Sequence, residues 1–296
     1  MAIDFLRTPD EAFQHLPGYD FAPHWFDQPN GLRMHYLDES AGDQVFLCLH
    51  GQPSWSYLYR KMIPVLSKAG RVIAPDLLGF GKSDKPVDQA TYTFDFHRQS
   101  LVELILALDL QRVTLVCQDW GGLLGLTIPP FMADRFDRLI VMNTGFATGE
   151  QSLGAGFQAW KLFNRSQPDM DLKALFERST PILSEAEAAA YAAPYPDARY
   201  KAGVRQFPEL VPDHRDAGGA HISQAARDWW RDTWSGQSFM AVGGSDPVIT
   251  PDAMASLRKN IRGCPEPLMI PEAGHFVQEW GIEVAEAALK AFAPAA

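Results

Sequence analysis

The chain alternates short apolar runs with segments of helical pattern. Six runs are rich in Val, Ile and Leu and contain few polar residues, which is typical of parallel strands that are covered by helices on both faces. Between them, apolar residues recur at helical spacing. The pattern therefore predicts an α/β fold with a mostly parallel central sheet and helices on both faces. The runs are residues 45–49, 71–75, 112–117, 139–142, 239–242 and 267–270.

An antiparallel segment is predicted ahead of this sheet. Residues 25–27 and 34–37 flank the pair Asn30-Gly31, and Asn-Gly between two strand-like segments is a strong hairpin signal. We therefore expect the chain to open with a β-hairpin.

The strand pattern stops between residues 150 and 230. This segment is helical in pattern but is interrupted by several prolines. It leaves after the fourth parallel run and returns before the fifth, so we expect it to cover the carboxyl edge of the sheet and shield a site there from water. The predicted domains are an α/β core of residues 1–149 and 231–296 and a helical cap of residues 150–230.

Composition and charge limit the classes of partner. The 296 residues include 46% hydrophobic and 21% charged residues, a balance typical of a globular protein. A formal net charge of -10 disfavours nucleic acid as a ligand. No apolar run approaches the length of a membrane span. We expect a soluble, cytoplasmic monomer.

Cysteines and histidines give no sign of a metal or redox centre. Cys48, Cys117 and Cys264 lack the even count and paired spacing of a disulfide framework or zinc site, so we interpret them as buried thiols. His214 and His221 are isolated within polar sequence. We expect neither a metal nor a cofactor.

The strongest chemical signal is an aspartate at a strand-to-helix turn. The sequence VCQDWGG at residues 116–122 follows a β-branched run, and Asp119 takes the place of Ser in the nucleophile elbow G-x-S-x-G. A carboxylate that attacks saturated carbon forms an ester that water can cleave, whereas a serine would form a stable ether. The alternative is that Asp119 only caps the following helix.

Two further residues complete a candidate catalytic set. His275 follows the last apolar run and Asp246 follows the fifth, and the carboxyl ends of parallel strands lie at one edge of the sheet. The chain order of nucleophile, acid and histidine is that of α/β-hydrolases. Asp246 would hold the imidazole of His275, which would remove a proton from water.

Several motifs together resemble the haloalkane dehalogenases. They are HGQPSWSYLYR at 50–60, DLLGFGKSDKP at 76–86, the aspartate elbow, and GHFVQE at 274–279. In the expected cap, GFQAWK at 156–161 and YAAP at 191–194 are similar to the subfamily that holds halide between two tryptophans. The resemblance covers most of the chain, and its motifs are specific in combination.

The resemblance implies an α/β-hydrolase fold and a role for each of these residues. Asp119 would be the nucleophile, His275 the base and Asp246 the supporting acid, while Trp120 and Trp160 would bind halide. An indole N–H suits that last role because it donates a hydrogen bond and cannot accept one.

The resemblance also implies an oxyanion hole formed by the backbone N–H groups of Gln52 and Trp120. Related two-tryptophan sequences carry Glu at position 52, so this Gln keeps the length and loses the charge. Phe157, three residues before Trp160, would line the same pocket because residues three apart share a helix face.

The implied reaction converts a small halogenated alkane and water into a primary alcohol, a halide ion and a proton. Two alternatives remain open. An epoxide hydrolase uses the same Asp-His-acid set with proton-donating tyrosines in its cap, for which Tyr191, Tyr195 and Tyr200 are candidates. A catalytically silent protein of the same fold would bind a small molecule without converting it.

Overall fold

Ten strands form two sheets in the computed structural model, which describes residues 3–293. The main sheet has the strand order β10-β9-β8-β7-β4-β5-β3-β2, and β1 pairs with β6 in a separate two-stranded sheet. The strands are β1 (Phe5–Leu6), β2 (Pro23–Asp27), β3 (Arg33–Glu39), β4 (Val45–Leu49), β5 (Arg71–Pro75), β6 (Lys85–Pro86), β7 (Val113–Cys117), β8 (Phe136–Val141), β9 (Gln237–Gly243) and β10 (Leu268–Ile270).

The pairing in the main sheet agrees with the sequence pattern. All pairs from β10 to β5 are parallel, while β2 and β3 form an antiparallel hairpin that joins the sheet through β5. Gly31 has φ +86 at the hairpin turn, a conformation that glycine adopts without steric cost. The predicted mostly parallel sheet with an antiparallel opening is confirmed.

Helices cover both faces of this sheet. Strands β4 and β7 are buried along their whole length, and their alternate side chains belong to two separate cores, as a pleated strand requires. The helices are α1 (Ile63–Leu66), α2 (Phe94–Ala107), α3 (Trp120–Gly125), α4 (Ala155–Ser166), α5 (Leu172–Ser179), α6 (Glu185–Ala192), α7 (Ala202–Leu210), α8 (Ala220–Asp232), α9 (Pro251–Lys259) and α10 (Gly281–Phe292).

Five of these helices, α4 to α8, lie between β8 and β9, where the sequence lacks a strand pattern. Local signals explain where two of them begin. The Asp171 carboxylate accepts a hydrogen bond from the Ala174 N–H at the start of α5, and Ser184 and Glu187 form a capping box at the start of α6.

Helix α8 extends across residue 230, the expected cap boundary. The buried Trp230 indole N–H donates to the Leu126 carbonyl at 2.7 Å, so the carboxyl end of α8 packs against the α/β core. No helix within residues 3–293 is both long enough and apolar enough to cross a membrane.

The cysteines differ in burial. Cys48 in β4 and Cys117 in β7 are buried, as expected, whereas Cys264 is only partly buried. The expectation of three buried thiols was wrong for Cys264, because this residue lies outside the strands, in the connection between α9 and β10.

Candidate active site

Asp119 lies at a sharp turn between β7 and α3. Its backbone has φ 49 and ψ -127, a strained conformation for a residue with a side chain. Glycine is required next to it: a Cβ at Gly121 would lie 2.0 Å from the Leu49 carbonyl oxygen, and one at Gly122 would lie 2.1 Å from Thr144 Oγ1. The turn directs the carboxylate away from the helix, and within residues 3–293 its side chain caps no backbone N–H of α3.

The two carboxylate oxygens of Asp119 have different surroundings. Oδ1 accepts a hydrogen bond from the Gln52 backbone N–H at 2.7 Å. Oδ2 lies 3.4 Å from His275 Nε2. Gly51 allows this close approach, because a Cβ there would lie 2.2 Å from Asp119 Oδ1.

His275 is held by Asp246 on its other side. Its Nδ1 lies 2.8 Å from Asp246 Oδ2, while Oδ1 of that carboxylate accepts from the N–H groups of Val248 at 2.8 Å and Ile249 at 3.0 Å. Burial raises the pKa of Asp246, but the charge and hydrogen bond of His275 and these N–H groups outweigh it, so the pKa is lowered overall. Asp246 is therefore an ionised partner that orients the imidazole.

The pKa of His275 reflects its position between two carboxylates. Burial lowers it, whereas the charge of Asp246 and the hydrogen bonds to Asp119 and Asp246 raise it, to about 10. The two neighbouring carboxylates therefore favour the protonated, imidazolium form of His275.

Two amide side chains that the motifs did not single out make hydrogen bonds to Asp246 and His275. Asn143 Nδ2 donates to Asp246 Oδ2 at 2.9 Å. Gln118 Nε2 donates to the His275 carbonyl at 3.0 Å. Both residues follow the ends of parallel strands, β8 and β7, so a search for polar residues at strand ends would have found them.

A cavity of about 580 Å³ opens onto these groups. Asp119 and His275 line it together with Trp120, Trp160 and Phe157, so the structure brings together the residues predicted from both the elbow and the helical segment. The volume suits a small ligand.

The indole N–H groups of Trp120 and Trp160 are free to act on that ligand. Other tryptophans use theirs within the fold, as Trp55 does toward the Ala190 carbonyl at 3.2 Å. Within residues 3–293, neither Trp120 Nε1 nor Trp160 Nε1 has a hydrogen-bond acceptor in the protein. Two donors on one largely apolar cavity favour an anion.

The side chain of Gln52 is already engaged. Its Nε2 donates to the Val204 carbonyl of α7 at 2.9 Å, and Asn164 Nδ2 of α4 donates to the same oxygen at 3.0 Å. Asn164 carries no motif, and sequence reasoning missed it because its role depends on how α4 packs against α7.

The three cap tyrosines are placed elsewhere. The Tyr191 hydroxyl donates to the Glu279 carboxylate, and the buried Tyr195 hydroxyl donates to the Pro53 carbonyl at 3.4 Å. Among the described residues that line the cavity, none is Tyr191, Tyr195 or Tyr200. In the described part of the chain, the tyrosines that the epoxide-hydrolase alternative would use as proton donors therefore do not line this cavity.

Comparison with known proteins first gives the class. Residues 44–282 match the model of the α/β-hydrolase fold family, in agreement with the sheet order and the strand-to-helix turn at Asp119. The chain therefore belongs to the α/β-hydrolases.

The relatives define a narrower family. The chain is 43% identical over 288 residues to a haloalkane dehalogenase of Psychrobacter cryohalolentis, covering 94% of each chain. It is 43% identical over 295 residues to haloalkane dehalogenase 1 of Mycobacterium tuberculosis, covering 96% and 97%. Within the α/β-hydrolases, this chain belongs to the haloalkane dehalogenases.

A solved structure agrees over the whole chain. The haloalkane dehalogenase DpaA from Paraglaciecola agarilytica, which is tetrameric, superposes with a TM-score of 0.96 at 48% identity, covering 99% of this chain and all of DpaA. The fold predicted from the sequence is confirmed.

Proposed function

We propose that the protein hydrolyses haloalkanes to the primary alcohol, halide and a proton through a covalent alkyl ester on Asp119. One arrangement carries this proposal: a carboxylate on a strained turn, 3.4 Å from the imidazole of His275, faces a cavity that Trp120 and Trp160 also line. Among the described residues, the indole N–H groups of these two tryptophans have no acceptor.

In the first step, Asp119 Oδ2 attacks the carbon that bears the halogen. The assignment to Oδ2 follows from the Gln52 N–H, which occupies Oδ1. The new C–O bond forms as the C–halogen bond breaks, and the halide leaves with the bonding electron pair toward the indole N–H groups of Trp120 and Trp160. Phe157 contributes an apolar wall that excludes water during this step.

In the second step, His275 Nε2 removes a proton from water, and the water oxygen attacks the ester carbonyl carbon. Negative charge develops on Asp119 Oδ1, where the Gln52 N–H already donates. Trp120 is the first residue of α3, so its backbone N–H has no acceptor within the helix and is available to the same oxyanion. One such donor is typically worth about 3 kcal/mol of transition-state stabilisation. The alcohol leaves with one proton of the water, the carboxylate reforms, and the other proton stays on His275, which restores the imidazolium. The one proton released per turnover is the proton that the imidazole loses when the ester forms.

Formation of the ester also prepares the base. Asp119 is one of the two carboxylates that raise the pKa of His275, and alkylation removes its charge. The pKa of His275 therefore falls when the ester forms, so that the imidazole loses its proton when it is needed to activate water.

The test uses a His275→Phe variant exposed to 1,2-dibromoethane. We expect one equivalent of bromide to be released and the intact mass to rise by one bromoethyl group, located on Asp119 by peptide mapping. The matched control is Asp119→Asn/His275→Phe, which should gain no mass. If His275→Phe folds poorly, His275→Gln serves the same purpose.

Each alternative predicts a different result. An epoxide hydrolase would gain the mass of styrene oxide on Asp119 in the same variant and release no bromide. A silent binding protein would gain no mass from either compound, and the wild-type protein would release no halide.

The cap, the assembly and the compartment are also proposals. We propose that residues 150–230 act as the cap of a core formed by 1–149 and 231–296, with the end of α8 anchored on the core.

The oligomeric state is tested by a direct measurement, because DpaA is a tetramer whereas we expect a monomer. Light scattering at several protein concentrations should give the mass of one 32.9 kDa chain. Cytoplasmic location remains a prediction from the sequence.

A further inference from the structure

The amide groups of Gln52 and Asn164 meet at one buried oxygen. Gln52 Nε2 and Asn164 Nδ2 donate to the Val204 carbonyl at 2.9 and 3.0 Å. All three residues are buried. We call this group the Val204 junction.

This oxygen is free because of a proline inside α7. In an α-helix the carbonyl of one residue accepts from the N–H four residues later, and the residue four positions after Val204 is Pro208, which lies inside the helix and has no N–H. A buried carbonyl without a donor is costly. Two side chains from other parts of the molecule satisfy it.

The Val204 junction connects two parts of the site whose relative position matters, the Asp119 carboxylate and the Trp160 side chain. The backbone N–H of Gln52 donates to Asp119 Oδ1, so the same residue holds the nucleophile and reaches α7. Asn164 lies on α4 one helical turn after Trp160, on the same side of the helix. Pro208 itself lines the cavity.

We propose that Gln52 and Asn164 are positioning residues that fix Trp160 relative to Asp119 through the Val204 carbonyl. The side-chain amide of Gln52 thus positions α7, whereas the backbone N–H of the same residue stabilises the oxyanion. This inference rests on the proposed halide-releasing reaction and names residues that control halide binding in it.

The chemistry at position 52 supports this assignment. A carbonyl oxygen accepts hydrogen bonds and donates none, so the group that faces Val204 must be an N–H donor, which Gln has and an ionised Glu lacks. The second donor, from Asn164, fills the other lone pair of the same oxygen. Gln52 and Asn164 therefore act on one shared acceptor.

The test compares Asn164→Leu, which is of similar size and lacks the donor, with the wild-type protein. We expect the bromide dissociation constant, measured by quenching of indole fluorescence, to rise about fivefold, the equivalent of one net hydrogen bond. The rate of halide release in a single turnover should fall, while the rate of ester hydrolysis should stay unchanged, because Asp119, His275 and Asp246 are untouched. Ser166→Ala is the matched control, since among the described residues its hydroxyl bonds only to the Phe163 carbonyl of the same helix.

A double variant tests whether the two amides share one acceptor. In Gln52→Met/Asn164→Leu the carbonyl loses both donors, so the loss of bromide affinity should exceed the sum of the single losses. Additive losses would mean that the two residues act separately, which would overturn the junction.

Adding Pro208→Ala to the double variant separates positioning from stability. The new N–H at position 208 can satisfy the Val204 carbonyl within α7, so the melting temperature should recover while bromide affinity stays low. If bromide affinity recovers too, the amides serve only to satisfy the carbonyl and the proposal is wrong. An unchanged bromide affinity in Asn164→Leu would also overturn it.

Failure of the proposed function would be recognised separately. In that case the wild-type protein would release no halide and the His275→Phe variant would trap no ester. Failure of the junction alone would leave both of those results intact.

Discussion

At the scale of single residues, the charge of one carboxylate controls the proton of the histidine beside it. His275 lies between Asp119 and Asp246, which raise its pKa to about 10 against the effect of burial. Only Asp119 changes its charge during the proposed reaction. The charged Asp119 carboxylate therefore favours the imidazolium, and the neutral ester favours the neutral imidazole base.

We predict that Asp119→Asn lowers the pKa of His275, because the neutral amide resembles the ester in charge. The measurement is an NMR titration of the imidazole in the wild-type protein and the variant. The control is Asp43→Asn, an exposed residue at the opposite end of β4. A pKa that stays near 10 in Asp119→Asn would contradict the proposed timing of proton loss.

The raised pKa of His275 in the folded protein makes the free energy of unfolding depend on pH. The folded pKa of His275 lies above its ordinary value of 6.5, so its contribution to the free energy of unfolding is fully present below about pH 6.5 and is lost as the pH rises toward 10. Urea unfolding from pH 6 to 10 should show this loss in the wild-type protein and a weaker loss in His275→Gln. Equal pH dependence in both would contradict it.

Sequence reasoning reached the residues that have a fixed relation to a strand end. Asp119, Asp246 and His275 each follow a parallel strand, so chain order alone could place them at one edge of the sheet. Asn164 could not be found in this way. Its contact with Val204 depends on the packing of two helices and on a proline in the second one.

At the scale of elements, the strand-to-helix turn at Asp119 requires the backbone of α3 to pass very close to the backbone of β4. A Cβ at Gly121 would lie 2.0 Å from the Leu49 carbonyl oxygen of β4. That oxygen belongs to the sheet and cannot move without disturbing the strand. The turn that exposes Asp119 and the packing of α3 on β4 therefore depend on the same glycine.

We predict that Gly121→Ala lowers the free energy of unfolding by about 3 kcal/mol or more, because overpacking against rigid backbone cannot be relieved by side-chain movement. Urea unfolding measures this. Gly218→Ala is the matched control, since a Cβ there would have no atom within 4 Å. Equal effects of the two substitutions would show that the close approach is not required.

The observed bounds of β8 and β9 show that the apolar pattern of the sequence misses the first residues of these strands. The apolar run predicts β8 from residue 139, but the strand begins at Phe136, and β9 begins two residues before its run, at Gln237. These first residues include polar, partly exposed side chains, because solvent reaches the amino ends of the strands while backbone pairing continues there. In β8 and β9, the burial that produces an apolar run covers only the middle and carboxyl part of the strand.

At the scale of the whole molecule, a buried ion pair joins distant parts of the chain. The Arg60 guanidinium donates to both oxygens of Glu279, at 2.6 and 2.9 Å, and to Glu187 of α6 at 2.8 Å. Glu279 lies four residues after His275. The segment that carries His275 is therefore held by ion pairs both to Arg60 and, through Arg60, to α6.

We predict that Glu279→Gln lowers the free energy of unfolding by about 3 to 5 kcal/mol, because it leaves the buried Arg60 charge without its main partner. Thermal or urea unfolding measures the loss. In the control, Arg199→Gln removes an ion pair whose side chains are 73% and 41% exposed, and it should leave the free energy of unfolding almost unchanged. A small effect of Glu279→Gln would mean that Glu187 alone neutralises Arg60.

The Val204 junction has a practical consequence for altering substrate range. Pro208 faces the cavity and is an obvious position to randomise in a library, yet any other residue there supplies a competing donor to the oxygen that the two amides hold. Positions 52, 164 and 208 should therefore be varied together in one library. New substrate specificities could then be selected without weakening the binding of the departing halide.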